Sequence, residues 1–202
     1  MNIEKIGNEL EKPRCAWVGK DDIYQQYHDL VWGRAVVDRQ ELFAKLCLDG
    51  QQAGLSWLTI LKKQRNYEQA FFNFDPLKIS HMSEDDIERQ MHNKGIVCNR
   101  LKINAIIKNA RVYLSMLQKG IDFSDFIWQF FGGKTIVNCW QSIQVVPVLT
   151  VESEQMAKAL KLHGFSFVGT TICYAFMQAV GLVNDHTEDC FFYTSACRAA
   201  RD

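Results

Sequence analysis

The run Arg100-Leu-Lys-Ile-Asn-Ala-Ile-Ile-Lys-Asn-Ala-Arg-Val-Tyr-Leu-Ser-Met-Leu-Gln118 is the most regular in the chain. Its apolar positions Ile103, Ile106, Ile107, Ala110, Leu114 and Leu117 recur at intervals of three and four, the repeat of an α-helix with one buried face. Gly120 suits the position just past the helix end, where a left-handed residue closes the last turn. The same period extends in both directions. Upstream, Asp38-Arg-Gln-Glu41 has the form of a capping box, and Leu42, Phe43, Leu46 and Cys47 follow at helical spacing. Leu55 through Leu61 predicts a second helix, broken near Asp75-Pro76, and Ser83 is placed to cap a short acidic helix around Ile87. Downstream, Phe123, Phe126, Ile127 and Phe130 make a helical stripe stopped by Gly132-Gly133. Glu152–His163 predicts a helix with Gly164 as its stop. Val168–Val180, apolar on nearly all sides, predicts a helix buried in the middle of the fold. Val145-Val146-Pro147-Val148 is a strand candidate, but its proline argues against a central one. No alternation of helix and β-run supports a parallel sheet, so the expected class is all-α, with roughly eight or more helices.

The chain has 202 residues and a mass of 23.3 kDa, the size of one large domain. Hydrophobic residues make up 48% and charged residues 23%, which excludes disorder for most of the chain and permits a useful core. Lys+Arg and Asp+Glu each number 23, so the formal net charge is zero. Binding to nucleic acid or to an anionic membrane therefore needs a local basic face rather than bulk attraction. Residues 1–12 alternate charges without an apolar segment, and they are expected to be a loosely attached leader rather than a signal peptide. Residues 13–202 are expected to form a single domain. No stretch approaches the roughly 18 to 20 apolar residues of a membrane span, so no membrane partner is expected and the expected location is the cytoplasm. The seven cysteines are odd in number, and without an export signal disulfides are not expected. Cys47, Cys98 and Cys173 fall within apparently helical segments, where a buried thiol is a small hydrophobe.

Several constellations can carry chemistry. Cys15 and His28 are separated by twelve residues, and His186 and Cys190 by three, an i,i+4 spacing that puts two side chains on one helical face. Two thiols and two imidazoles suit tetrahedral zinc. The pairs lie 158 positions apart, unlike those of a zinc finger, and on spacing alone an incidental arrangement is the commoner explanation. Four protein ligands would leave no open coordination position, so such a site would be structural. The aromatics Trp17, Tyr24, Tyr27, Trp32 and Trp57 are either core or a box that stacks a planar base and attracts a cationic one. Asp49 either caps the turn at Gly50-Gln51 or presents a carboxylate to that box. Ala53-Gly54-Leu55 can form a tight loop that brings backbone close to a ligand. Around Gly95, a turn between two helices with Lys94, Arg100 and Lys102 nearby can hold a DNA phosphate; the alternative is an ordinary connection with a solvated basic face. The chain has no GxxxxGK[ST] or GxGxxG motif, and Ser56 and Ser166 lack a Gly-x-Ser-x-Gly setting.

Four strings together resemble bacterial 3-methyladenine DNA glycosylase I: Tyr27-His-Asp29 with Trp32-Gly33; Leu48-Asp-Gly-Gln-Gln-Ala-Gly-Leu-Ser-Trp57; Gly164-Phe-Ser-Phe-Val-Gly-Thr-Thr-Ile-Cys-Tyr174; and Met177-Gln-Ala-Val-Gly-Leu-Val-Asn-Asp-His186. The resemblance runs from about Arg14 to Cys190. It implies an all-α fold of the helix-hairpin-helix glycosylase type, with a structural zinc held by Cys15, His28, His186 and Cys190. It also implies an enzyme that flips 3-methyladenine out of alkylated double-stranded DNA, hydrolyses its N-glycosidic bond and leaves an abasic site without lyase activity. Free 3-methyladenine would be the product and a monomer the working form. By the same resemblance Asp49 is the carboxylate that reads the base, Trp57 stacks on it with Tyr27 and Trp17 nearby, Gly54 and Leu55 fill the gap in the duplex, and the turn at Gly95 anchors phosphate. The chain departs from the family pattern at Asp49 and Val31, where the family usually carries Glu, and at Arg34-Ala35, which lacks the usual proline. The Asp49 substitution keeps a second function in play, a zinc-stapled binder of damaged DNA without catalysis.

Overall fold

The computed structural model describes residues 12–193. Nine α-helices lie wholly among them: α1 (Asp22–Leu30), α2 (Arg39–Gln51), α3 (Trp57–Ala70), α4 (Pro76–Ser80), α5 (Glu84–Met91), α6 (Arg100–Gln118), α7 (Phe123–Trp128), α8 (Val151–His163) and α9 (Thr170–Ala179); residues 191–193 are also helical. Single 3-10 turns lie at Phe72–Phe74, Gln129–Phe131 and Ile143–Val145. The all-α expectation holds. The leader expected at residues 1–12 lies, but for Lys12, outside the described residues, as does Cys197. No helix among the described residues is long and apolar enough to cross a membrane.

Most helix starts follow from local chemistry. Asp38 Oδ1 accepts from the N–H groups of Gln40 and Glu41 at 2.9 and 2.8 Å, so the expected capping box at α2 is a one-armed aspartate cap. The reciprocal boxes are at Ser83/Asp86 and Thr150/Ser153, opening α5 and α8. Ser56 caps α3, which therefore starts at Trp57 rather than Leu55 and runs past Leu61 to Ala70. The chain leaves α3 through Phe72, Asn73 and Phe74, all with positive φ, a conformation that burial of Phe71 and Phe74 holds in place.

Helix α2 lies at the centre, packed against α3, α6, α7 and α9, and buries Leu42, Phe43, Leu46, Cys47 and Leu48. Helix α6 packs on α2, α4, α5 and α7, and α8 lies along α9. A second, smaller cluster gathers Cys15, Val18, Tyr27, Trp32, Ala179 and Cys190, and Trp57 packs against both clusters.

Three local expectations are corrected. Val145–Val148 is no strand; instead β1 (Ile136–Val137) and β2 (Val183–Asn184) pair in parallel, two residues each, through backbone bonds that leave no hydrophobic period. His186 and Cys190 sit not on a helix but in the turn after β2, where Cys190 N–H donates to Thr187 O. Cys98 is exposed in the loop before α6, whereas Cys47 and Cys173 are buried in α2 and α9.

The end of α9 is pinned to the segment after α1. Gly33 and Val36 N–H groups donate to Ala179 O and Val180 O. Gly181, at φ +71°, abuts this segment so closely that a Cβ would lie 2.5 Å from Ala35 N and Arg34 C. Gly181→Ala is expected to destabilise the protein by more than about 4 kcal/mol. Gly132→Ala, equally left-handed but with open space around it, is expected to lose only about 1 to 2 kcal/mol. Urea unfolding of the two variants measures the difference.

Candidate functional site

Helix α1 sets two faces side by side. Tyr24 and Tyr27 line a cleft of about 230 Å³ with Trp17, Trp32, Lys45, Asp49, Gln52, Trp57, Gln178 and Asp185. The next residue, His28, turns away into a buried cluster with Cys15, His186 and Cys190. The same alternation recurs at the far end of the chain, where Asp185 faces the cleft and His186 the cluster.

The cluster's four ligand atoms all lie within 4.8 Å of one another. Cys15 Sγ and Cys190 Sγ are each 3.5 Å from His186 Nδ1, and Cys190 Sγ is 3.4 Å from His28 Nε2. A tetrahedron with bonds of the usual zinc–sulfur and zinc–nitrogen lengths has S···N edges of about 3.5 Å. His28 Nδ1 faces Asp29 Oδ1 at 2.8 Å, and Arg14 Nε and Nη2 hold the Asp29 carboxylate at 2.8 to 3.1 Å. That carboxylate orients the imidazole from behind, as carboxylates do for metal-bound histidines. Gly33 makes room for His186: a Cβ there would meet Nε2 at 2.9 Å. The Cys190 thiol, accepting from the Cys15 thiol and next to both imidazoles, is pulled well below the usual thiol range, while sharing that proton and burial push Cys15 up. Two thiols and two imidazoles, buried and unbridged by any disulfide, form a donor set that can hold a metal.

The five predicted aromatics all reach the cleft. Trp17 is the hub, edge-on to Tyr24 at 4.9 Å and to Trp32 at 5.0 Å, and 6.5 Å from Tyr27. Tyr27 and Trp57 tilt together at 5.4 Å. Trp32 is shared between the two sites, since it also stacks on His28 and stands edge-on to His186. Asp49 is 1% exposed and turned inward, so it does not cap the turn after it. It pairs with Lys45, one helical turn earlier on α2. The Lys45 ammonium lies 4.0 Å from the Trp57 ring centroid. Burial lowers the Lys45 pKa and raises that of Asp49, while their mutual attraction opposes both shifts. Asp49 Oδ2 and Trp57 Nε1 are buried without a hydrogen-bond partner.

Lys45, Gln52, Gln178 and Asp185 were not identified from the sequence. Lys45 stands at i−4 from Asp49, a spacing that was available. Asp185 is a hub of four bonds: Asn138 Nδ2 and Trp140 Nε1 donate to Oδ1 at 2.6 and 2.7 Å, and Tyr174 OH and Gln178 Nε2 donate to Oδ2 at 2.6 and 2.8 Å. It ties the loop around Trp140 to α9, and its only sequence signal was its place next to His186.

The basic turn differs from expectation. Lys102 is buried, and its ammonium donates to Gln51 O at 2.7 Å and Ala53 O at 2.8 Å; it fastens the loop after α2 instead of adding surface charge. Arg100 is paired with Glu84 and Glu88, and the Gly95 N–H donates to Asn93 Oδ1 at 2.9 Å. Lys94 is exposed, and its carbonyl accepts from Lys63 Nζ. Gly54 is left-handed at φ +75° and Leu55 is exposed beside it. A second glycine-bounded turn joins α8 to α9. Asn109 on α6 holds it through Ser166 N–H and O, and Gly50 on α2 lets Phe167 approach, since a Cβ there would lie 3.1 Å from Phe167 Cβ. Gly169 opens α9 with no side-chain cap.

The Asp185 hub makes a measurable demand. Asp185→Asn replaces an acceptor oxygen with an amide nitrogen that only donates, facing two of the four donors, and is expected to destabilise the protein by about 2 to 3 kcal/mol. Tyr174→Phe, which removes a single donor, is expected to cost about half that. Chemical denaturation followed by tryptophan fluorescence measures both.

The sequence and the fold both match known proteins. A family model described as methyladenine glycosylase matches residues 17–193. The DNA-3-methyladenine glycosylase of Haemophilus influenzae is 52% identical over 182 residues, spanning 90% of this chain and 98% of that protein. A crystal structure of a 3-methyladenine DNA glycosylase I superposes with a TM-score of 0.87 at 52% identity, covering 88% of this chain and 98% of the other. Another, solved in complex with 3-methyladenine, superposes at 0.85 with 39% identity over 88% and 96% of the two chains. The chain belongs to the methyladenine glycosylase family, as one of its 3-methyladenine DNA glycosylase I enzymes.

Proposed function

We propose that this enzyme removes 3-methyladenine from alkylated double-stranded DNA by base flipping, hydrolysing the N-glycosidic bond and leaving an abasic site with the strand intact. The observation that carries the reading is the cleft: aromatic walls around an unpartnered buried carboxylate oxygen, in a space smaller than the roughly 300 to 1,000 Å³ of sites for drug-sized ligands. A base stacked in the duplex cannot reach such a cleft, so it must be extruded at a cost of a few kcal/mol. Methylation at N3 makes the nucleotide cationic and its base a good leaving group. The protein's work is therefore discrimination: aromatic faces of Trp57, Tyr27 and Trp17 favour a cationic ring, and Asp49 Oδ2 can accept from the exocyclic amino group. Lys45, the one amine among the described residues that line the cleft, is held by a carboxylate rather than free to attack the sugar, which supports hydrolysis by water and the absence of lyase chemistry.

DNA is held at the rim. Leu55, exposed beside left-handed Gly54 on a loop that Lys102 fastens, is placed to fill the gap left by the flipped base. The α8–α9 turn fits the hairpin of a helix-hairpin-helix element: two packed helices, a glycine-bounded loop, and the uncapped N-terminus of α9 able to take a backbone phosphate. Zinc in the Cys15, His28, His186 and Cys190 cluster would supply a cross-link and no chemistry, because four protein ligands leave no open position.

Two measurements test this. Alkylated duplex DNA incubated with the protein is expected to release free 3-methyladenine, with strand breaks appearing only after alkaline treatment. Asp49→Asn, which removes the charge and keeps the shape, is expected to lose about tenfold or more in kcat/KM, equivalent to about 1.4 kcal/mol of transition-state stabilisation. Binding of alkylated DNA without base release would instead establish the non-catalytic binder. For the metal, elemental analysis is expected to find one zinc per chain. Cys190→Ser is expected to lose it and to lower Tm by about 10 °C or more, since the cluster joins segments far apart in the chain.

A further inference from the structure

We propose that Lys45 is a specificity-determining residue of the base cleft: its ammonium stands in for a cationic base, which enters only by displacing it. The inference rests on the reading of the cleft as a base site. Of the features that suit a cation, two adjoin one another, the face of Trp57 and the carboxylate of Asp49. Lys45 already occupies both: its Nζ is 4.0 Å from the Trp57 centroid, 6.0 Å from that of Tyr27, and paired with Asp49. A ring face already covered by an ammonium has little attraction left for a second cation, and the two like charges would repel across a few ångströms. The other carboxylate on the cleft wall, Asp185, has its acceptor sites filled by four donors and has none left to accept from the base.

The displaced ammonium has somewhere to go. A second cavity of about 320 Å³ adjoins the first, and Tyr27, Lys45 and Trp57 line both. Its wall carries Glu41, one helical turn before Lys45 on α2, and Glu68 on α3. Rotation of the lysine side chain about its own stem moves its charge from Asp49 to these carboxylates without moving α2. The cleft then has two states: closed on itself by the Lys45–Asp49 pair, or open with Asp49 and Trp57 free for the base. A neutral base, which gains less from the freed carboxylate and ring face, depends less on the exchange. The result is a pocket that prefers cationic over neutral bases less than its aromatic walls and carboxylate would by themselves.

Binding of a fixed cation, 3,9-dimethyladeninium, and of uncharged 3-methyladenine is measured calorimetrically under mildly alkaline conditions that keep Asp49 ionised. Lys45→Met, close to lysine in volume, is expected to bind the cation about tenfold or more tighter than the parent, with the neutral base changed by less than about threefold. Lys45→Arg is expected to keep the parent's preference. Equal affinity of the parent and Lys45→Met for the cation, or an equal gain for both ligands, overturns the proposal while leaving the base site standing. Failure of both proteins to bind either ligand overturns the base site and the proposal with it. If Lys45→Met proves unfolded by circular dichroism, the double variant Glu41→Gln with Glu68→Gln decides. It leaves the base cleft's walls intact and is expected to weaken the cation about threefold or more, with the neutral base unaffected; unchanged cation binding overturns the proposal.

Discussion

The convergence of Cys15, His28, His186 and Cys190 is the constraint on which the site depends. Each of the three segments that meet there also supplies a wall of the cleft: Trp17 follows Cys15, Tyr27 precedes His28, and Asp185 precedes His186. Positions one or two apart in the chain point to opposite sides, so drawing the ligands together on one side spreads the cleft residues on the other. Trp32, stacked on His28 and lining the cleft, is the partition between the two. The cluster adds to the other contacts that hold the segment around Cys15 and the turn around Cys190: the small second core, the Arg14–Asp29 pair and the bond from Phe191 N–H to Pro13 O.

Helix α2 supplies the other half of the cleft by a different logic. It is buried along most of its length, and the two charges on its cleft face, Lys45 and Asp49, are tolerated because they neutralise each other. A buried pair of this kind is a poor source of stability, since the desolvation of both ions offsets most of their attraction. Its persistence in the centre of the cleft is better understood through binding. Lys102 performs a related task at the end of the same helix, where its ammonium satisfies carbonyls of the loop that carries Gly54 and Leu55. Two lysines of one chain thus serve as internal cations for specific acceptors.

Phosphate anchoring offers a further contrast. The turn at Gly95 has the composition of an anion site, but Arg100, Lys102 and the Gly95 N–H are engaged within the protein. The α8–α9 turn carries no conspicuous charge, yet Asn109 and Gly50 hold it in position and its following helix is uncapped. Backbone availability, rather than the count of lysines and arginines nearby, distinguishes the two.

Much of this was legible in the chain itself. The period of Ile103 to Leu117, the Ser83 cap, the Gly164 stop and the apolar run of α9 are local, and short-range sterics and helix hydrogen bonding follow from them directly. The residue types of the site were legible too: the aromatics, Asp49, and two Cys/His pairs whose meeting only resemblance suggested. Tertiary structure decided what these residues do. It brought His28 and His186 together across 158 positions, turned Asp49 inward onto Lys45, withdrew Lys102 from the surface and made Asp185 a hub. It also placed a two-residue strand pair where the chain shows no alternation. The physical reason is the same in each case: hydrophobic periodicity reports which face of an element is buried, whereas the partner of a buried charge or thiol is set by contacts between segments distant in the chain, which no local pattern encodes.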